Sequence, residues 1–126
     1  MKRIVSTPDA PASSLYSQGV AVGPILYVSG MTGTDVRTGQ LEGPSIQEQT
    51  RRALHNGLAV VEAAGGALAD IVQVTVLLAR AEDFTGMNEA YAAFFPVDPP
   101  TRAVTKLGVE LPNVLVSIMM TAHVDA

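Results

Sequence analysis

The chain has 126 residues, of which 48% are hydrophobic and only 16% are charged, with a formal net charge of −4. We predict a single domain over residues 1–126, because this length and apolar content suffice for one core. The acidic balance and the lack of a basic run argue against a nucleic-acid partner. The absence of cysteine excludes disulfides, zinc–thiolate sites and cysteine nucleophiles.

The N-terminus begins with charge at Lys2 and Arg3 and lacks the apolar stretch of a signal peptide. No segment has the length and apolar character of a membrane span. His55 and His123 are far apart and show no metal-ligand spacing, so no metal site is predicted. We therefore expect a cytoplasmic protein with no membrane partner.

The first third of the chain has the pattern of short strands joined by turns. Ile4-Val5 is a candidate edge strand that Pro8 ends. Two strands follow at residues 20–22 and 25–29, with Gly23-Pro24 as the turn between them. Residues 32–43 contain three glycines and predict a loop or a loose hairpin.

A capping box opens the first predicted helix, since Ser45 can accept from the Glu48 amide and the Glu48 side chain can return to Ser45. Apolar residues at helical spacing continue to Ala64, and Gly65-Gly66 predicts the end. His55 falls on the polar face of this helix and is expected to be solvated.

Residues 70–79 predict a strand, with Val72, Val74, Val76 and Leu78 on one face and Ile71, Gln73, Thr75 and Leu77 on the other. Asp83 is a candidate N-cap for a second helix, which Pro96 ends. The apolar stripe of that helix comprises Phe84, Met87, Tyr91 and Phe94.

The last two strands are predicted at residues 102–109 and 114–124, interrupted by Leu111-Pro112-Asn113. The resulting order is β, β, β, α, β, α, β, β. Strands at both ends with helices between them predict an α+β fold, in which two helices pack on one face of a mixed sheet.

The stretch 99–106 carries the strongest chemical signal. Pro99 and Pro100 stiffen the backbone that leads to Arg102, at the start of a strand. A guanidinium held there offers a planar pair of donors that fits a carboxylate. The alternative is a surface arginine in a weak ion pair.

Several stretches, taken together, resemble the RidA/YjgF family of reactive intermediate deaminases, also named endoribonuclease L-PSP. The resemblance runs nearly end to end and rests on the ordered set rather than on any one piece. The pieces are Tyr16-Ser17-Gln18-Gly19-Val20, Tyr27-Val28-Ser29-Gly30, Arg37-Thr38-Gly39, Glu48-Gln49-Thr50-Arg51, Glu62-Ala63-Ala64-Gly65, residues 70–76, Asp83-Phe84, residues 87–95 and Pro100-Thr101-Arg102-Ala103-Val104.

This resemblance implies a chorismate-mutase-like fold, assembled as a homotrimer with ligand sites in the clefts between subunits. It implies that Arg102 binds the carboxylate of a 2-imino acid and that Tyr16 and Asn88 line the same cleft. Ser29 and Gly30 match the segment that orients the ligand. Apart from the resemblance, each of these residues has a purely structural alternative. Tyr16 fits a half-buried aromatic residue equally well, Asn88 fits a polar residue on a helix surface, and Ser29-Gly30 fits the end of a strand.

The chain departs from the family at the glutamate that orders the attacking water, where Ser117 stands instead. The next position on that face, often a second glutamate, is Met119. Period two places Ser117, Met119, Thr121 and His123 on one face, without a carboxylate. A serine hydroxyl accepts a proton from water only with a base beside it.

Two further departures alter the predicted cleft wall. Met31-Thr32-Gly33 replaces the Gln-Ile-Pro common in the family, and Ser14-Leu15 replaces Gly-Pro before the tyrosine. The first makes the wall more apolar, and the second changes the loop that carries Tyr16. We therefore expect a ligand or substrate different from that of typical members.

Two main hypotheses follow. The first is a cofactor-independent deaminase that hydrolyses 2-imino acids or enamines to 2-keto acids and ammonia, with Arg102 holding the carboxylate and Ser117 helping to order water. The second is a regulatory or binding trimer for small carboxylates such as 2-keto acids, weakened as a catalyst. A carboxylate from a neighbouring subunit, such as Glu110 or Asp125, would favour the first. A third, endoribonuclease activity, is disfavoured by the acidic balance.

Overall fold

The computed structural model describes residues 1–125. Its elements are β1 (Lys2–Val5), β2 (Gly19–Val22), β3 (Ile25–Thr32), β4 (Thr34–Asp35), β5 (Gln40–Leu41), α1 (Ile46–Ala63), β6 (Ile71–Leu78), α2 (Phe84–Phe94), β7 (Thr101–Lys106) and β8 (Val116–His123), with 3₁₀ turns at Leu68–Asp70 and Ala81–Asp83.

Within residues 1–125, six strands form one mixed sheet in the order β1-β2-β3-β8-β6-β7. Neighbours are antiparallel apart from β6 and β7, which run parallel and are joined through α2. Strands β4 and β5 form a separate short hairpin. Both helices pack on one face of the large sheet, which confirms the predicted α+β class.

The apolar core lies between that face of the sheet and the two helices. Strand β8 alternates as predicted: Val116, Ile118, Met120 and Ala122 are buried toward the helices, and the intervening side chains lie on the other face. Leu26 of β3 and Leu54 of α1 are completely buried in the same core. We call the face that carries Ser117, Met119, Thr121 and His123 the open face.

The start and the end of α1 confirm the prediction from sequence. The Ser45 hydroxyl accepts from the Glu48 amide at 3.1 Å, and the Glu48 carboxylate accepts from the Ser45 amide at 3.4 Å. The chain leaves the helix through Gly65 at φ +93, a conformation that glycine adopts without steric cost. His55 is exposed, as expected, with its ring 5.1 Å from that of Phe94.

The structure corrects the predicted faces of β6. The register shifts between Ile71 and Gln73, so Ile71 is buried while Val72 is 45% exposed. A bulge of this kind reverses the alternation of buried and exposed residues at the start of the strand. The residue pattern of β6 does not predict this bulge. The predicted alternation holds for Val74, Val76 and Leu78.

The predicted cap at Asp83 and the bounds of the last two strands are also corrected. Asp83 precedes α2, but its carboxylate makes no capping bond and accepts instead from Arg80, at 2.9 and 3.0 Å. The ion pair takes up the oxygens that a capping interaction needs. Strands β7 and β8 are shorter than predicted, because residues 107–115 form a loop containing Asn113 at φ +63.

Candidate active site

Arg102 lies on the edge strand β7 and points to the helix side of the sheet. Its register partner on the parallel strand β6 is Val74, whose side chain is buried toward the helices. One guanidinium nitrogen, Nη1, donates to Asn88 Oδ1 at 2.7 Å and lies 3.9 Å from Met87 Sδ. The fold thus brings together Arg102 and Asn88, two of the residues predicted for the site.

Aromatic rings of α2 support the same guanidinium. Its carbon lies 4.8 Å from the centre of the Tyr91 ring and 6.0 Å from that of the Phe84 ring. Cation–π contacts of this length stabilise the arginine and restrict its rotamers. The sequence predicted Phe84 and Tyr91 as core residues only. Their role beneath Arg102 depends on how α2 crosses β7, which periodicity does not report.

Within residues 1–125, no carboxylate lies within 4.0 Å of the Arg102 guanidinium, whereas Arg37, Arg52 and Arg80 each pair with one. The structure therefore contradicts the alternative of a weak ion pair inside the chain. Arg102 is exposed, and its donors that do not face Asn88 are available to an acid from outside. We call Arg102, Asn88, Met87, Tyr91 and Phe84 the Arg102 half-site.

Ser29, Gly30 and Ser117 meet where β3 and β8 run side by side. A β-carbon added at Gly30 would lie 2.8 Å from Ser117 Oγ, so the hydroxyl faces the glycine directly. The Ser29 hydroxyl donates to the Ser17 carbonyl at 2.6 Å, and its amide donates to the Gln18 carbonyl at 2.9 Å. These bonds fix the backbone next to Tyr16, whose exposed side chain lines a recess with Ile4 and Pro8. We call Ser29, Gly30 and Ser117 the Ser117 half-site.

Gln18 organises the loop that carries Tyr16, a role that the sequence did not reveal. It is 4% exposed, and its amide nitrogen donates to the carbonyls of Thr7, Ala10 and Pro11 at 2.8–3.0 Å. Its side-chain oxygen accepts from the Thr7 amide at 2.7 Å. Burial of an amide requires such partners, and they come from backbone carbonyls 7–11 residues upstream, which the composition around Gln18 does not indicate.

Within the described part of the chain, neither strand residue in register with Ser117 carries a basic group. Its register partners are Thr32 on β3 and Leu77 on β6. His123, which is on the open face, has its Nδ1 atom 3.7 Å from Asp125 Oδ1. His123 lies six residues along β8, roughly 20 Å from Ser117 at ~3.3 Å per residue.

The two half-sites lie on opposite faces of the same sheet. Arg102 is in register with Val74 and Met120, whereas Ser117 is in register with Leu77, three residues farther along β6. Two strand spacings and three residues separate the Cα atoms by roughly 14 Å. The residues predicted for one cleft therefore do not converge within a single chain.

Other features of the described chain bear on the chemistry. Among residues 1–125, no group of three or more His, Cys, Asp or Glu side chains is arranged to hold a metal ion. In the same range we find no helix long and apolar enough to cross a membrane.

Comparison with known proteins places this arrangement in a family. The family model described as Endoribonuclease L-PSP matches residues 7–124. The chain belongs to this family. It is the RidA/YjgF family that the motifs predicted, and the fold prediction is thereby confirmed.

Three relatives illustrate the similarity. A RutC family protein of Saccharolobus solfataricus is 42% identical over 124 residues, 98% of each chain. The human 2-iminobutanoate/2-iminopropanoate deaminase is 39% identical over 104 residues, 82% of this chain and 76% of the human one. The crystal structure of E. coli TdcF with bound serine has a TM-score of 0.89 and 33% identity, covering 96% of this chain and 98% of TdcF.

Proposed function

We propose that this RidA-family protein is a cofactor-independent deaminase, which hydrolyses small 2-imino acids to 2-keto acids and ammonia in a cleft between subunits of a homotrimer. The observation that carries the proposal is the Arg102 guanidinium, which has no carboxylate partner within residues 1–125 and is held at 2.7 Å by Asn88. A relative with 39% identity, the human protein, bears the name of such a deaminase.

The position of the half-sites supports a shared cleft. Because they lie on opposite faces of one sheet, a site that uses both needs the Arg102 half-site of one protomer and the Ser117 half-site of its neighbour. The open face also exposes apolar side chains, with Tyr27 at 53% and Met119 at 46% exposure. Such apolar surface is typical of a face that a second subunit covers.

The chemistry requires orientation more than strong base catalysis. In the proposed cleft Arg102 binds the substrate carboxylate through two parallel hydrogen bonds and presents the imine carbon to the neighbouring Ser117 half-site. Water adds to that carbon, the proton passes to nitrogen, and the carbon–nitrogen bond breaks to release ammonia and the 2-keto acid. Ser117 Oγ accepts a hydrogen bond from the water and holds it in place.

One observation favours a second candidate function, a trimer that binds small carboxylates with little turnover. Within residues 1–125, the register partners of Ser117 are Thr32 and Leu77, so neither adjacent strand supplies a base there. A positioned general base contributes about 10²–10⁴-fold to a rate, and its absence leaves orientation alone to accelerate the reaction. TdcF, the relative solved with serine, supports a small ligand for either candidate.

An imine-trapping assay tests the deaminase. An amino acid oxidase generates the 2-imino acid in the presence of semicarbazide, and an active deaminase lowers the yield of semicarbazone. We expect Arg102→Met to lose at least about 10²-fold in kcat/KM, the magnitude of two hydrogen bonds to a charged group. Arg51→Met, at an exposed arginine of α1, is the matched control and should retain activity.

Calorimetry with pyruvate and 2-ketobutyrate separates the two candidates. Binding that depends on Arg102, together with no competition against semicarbazide, would support the carboxylate-binding trimer and overturn the deaminase. Absence of binding by any small acid would refute both. Sedimentation of the same samples tests whether the protein is a trimer. The cytoplasmic location stays a prediction from the sequence.

A further inference from the structure

A recess of ≈ 440 Å³ lies beside the Arg102 half-site, between β7 and the start of α2. Phe84, Leu78, Ala81 and Val104 give it an apolar wall, and its lining also includes Ala79, Thr105 and Lys106. Phe84 belongs to both places, since the same ring lies 6.0 Å from the Arg102 guanidinium carbon. The recess therefore adjoins the Arg102 half-site through a shared aromatic ring.

The register of β7 places two cations at the ends of this surface. Arg102, Val104 and Lys106 pair with Val74, Val76 and Leu78, all three of which are buried toward the helices. The three β7 side chains therefore project on the same side of the sheet. Four residues along the strand separate the Cα atoms of Arg102 and Lys106 by roughly 13 Å. Because the lysine side chain is flexible, its ammonium group can lie closer to the Arg102 guanidinium than this Cα distance.

Neither cation is neutralised within the described chain. Among residues 1–125, no carboxylate lies within 4.0 Å of Lys106, although Glu82 and Glu110 occupy neighbouring segments. Asp83, the other acid at this end of α2, is already paired with Arg80. An apolar wall with an unpaired cation at each end is complementary to a molecule that carries an acid group at each end.

We infer that the cleft selects 2-imino and 2-keto dicarboxylic acids, with one carboxylate at Arg102, the methylene chain along Phe84 and Val104, and the second carboxylate at Lys106. This inference rests on the proposed function of Arg102 and adds a specificity subsite to it. The methylenes lose water against the apolar wall, and the second acid group gains a charge-assisted hydrogen bond from the ammonium group.

Calorimetry on the full chain with two acids of equal length tests the subsite. We expect 2-oxoadipate to bind about tenfold more tightly than 2-oxohexanoate, as one additional hydrogen bond to a charged group predicts. Lys106→Met keeps the length of the side chain and should bring the two affinities together. Lys2→Met, at an exposed lysine of β1, is the matched control and should preserve the tenfold ratio.

A second variant tests the recess itself. Ala81→Leu fills part of it, so we expect weaker binding of both long acids and unchanged binding of pyruvate. Equal affinities of the two acids for the unmodified protein, with binding still dependent on Arg102, would overturn the subsite and leave the proposed function standing. That result is expected if a neighbouring protomer fills the recess. A preference for 2-oxoadipate that survives Lys106→Met also overturns it, and no binding of any acid overturns both proposals.

Discussion

Replacement of Ser117 by glutamate should raise the rate of imine hydrolysis. The Ser117 hydroxyl faces Gly30 on the open face, where a β-carbon at position 30 would lie 2.8 Å from it. The side chain is partly exposed, so a longer one extends away from the core instead of displacing it. A carboxylate there has Ser29-Gly30 beside it, the segment that we predict to orient the ligand.

The structure sets the expected size of the effect. The register partners of Ser117 within residues 1–125 are Thr32 and Leu77, so no basic group at these positions already activates the water. We therefore expect the full gain of a positioned general base, about 10²–10⁴-fold in kcat, or about 3–5 kcal/mol of barrier. The gain should disappear below about pH 4, where the glutamate is protonated.

The semicarbazide competition assay measures this rate, and two variants control for the added group. Ser117→Gln has nearly the same shape without the charge and should show no gain. Thr121→Glu places a carboxylate on the same face four residues away, roughly 13 Å along the strand, beyond reach of the same water. Equal rates for Ser117→Glu and Ser117→Gln, in variants that bind pyruvate normally, would refute the proposed position of the attacking water.

Three further predictions concern stability. Gly33→Ala should lower the free energy of unfolding by about 3 kcal/mol in urea titrations, because the new β-carbon would lie 2.5 Å from a backbone oxygen of α1; Gly108→Ala, with open space around it, should change it by about 0.5 kcal/mol or less. Hydrogen bonding to Arg37 lowers the pKa of Asp35 from 3.8 to about 2, so its contribution is present above about pH 4 and is lost as the pH falls toward 2; Asp35→Asn should remove that pH dependence of the melting temperature. Tyr91→Phe removes a buried hydroxyl that has no hydrogen-bond partner within residues 1–125 and should raise stability by about 1 kcal/mol, whereas an unchanged or lower melting temperature would indicate a partner for that hydroxyl.

The sequence predicted those parts of the fold that depend on neighbouring residues. The structure confirms the predicted capping box at Ser45 and Glu48 and the predicted glycine after α1. Both features depend on interactions within one turn of the chain. The errors came from competition between distant or alternative partners. Asp83 has the composition of a cap but binds Arg80, and the β6 bulge at Val72 follows from pairing with β8.

The same distinction applies to the candidate site. Arg102 and Asn88 were proposed from motifs 14 positions apart, and the structure joins them at 2.7 Å. Three features were not predicted from the sequence. They are the rings of Phe84 and Tyr91 beneath the guanidinium, the contacts of Gln18 behind the Tyr16 loop, and the recess beside Lys106. Each depends on which element crosses which, and hydrophobic periodicity records burial without naming the partner.

The residue pattern alone determined the α+β class, the α1 boundaries, the two-residue alternation of β8 and the lack of a carboxylate on its open face. These properties follow from side-chain chemistry and the periods of helix and strand. Tertiary structure decided that Arg102 has no acid partner within residues 1–125, that aromatic rings of α2 support it, and that Ser117 lies on the opposite face of the sheet. The physical reason is that strand order and register set these distances, through hydrogen bonds between segments far apart in the chain.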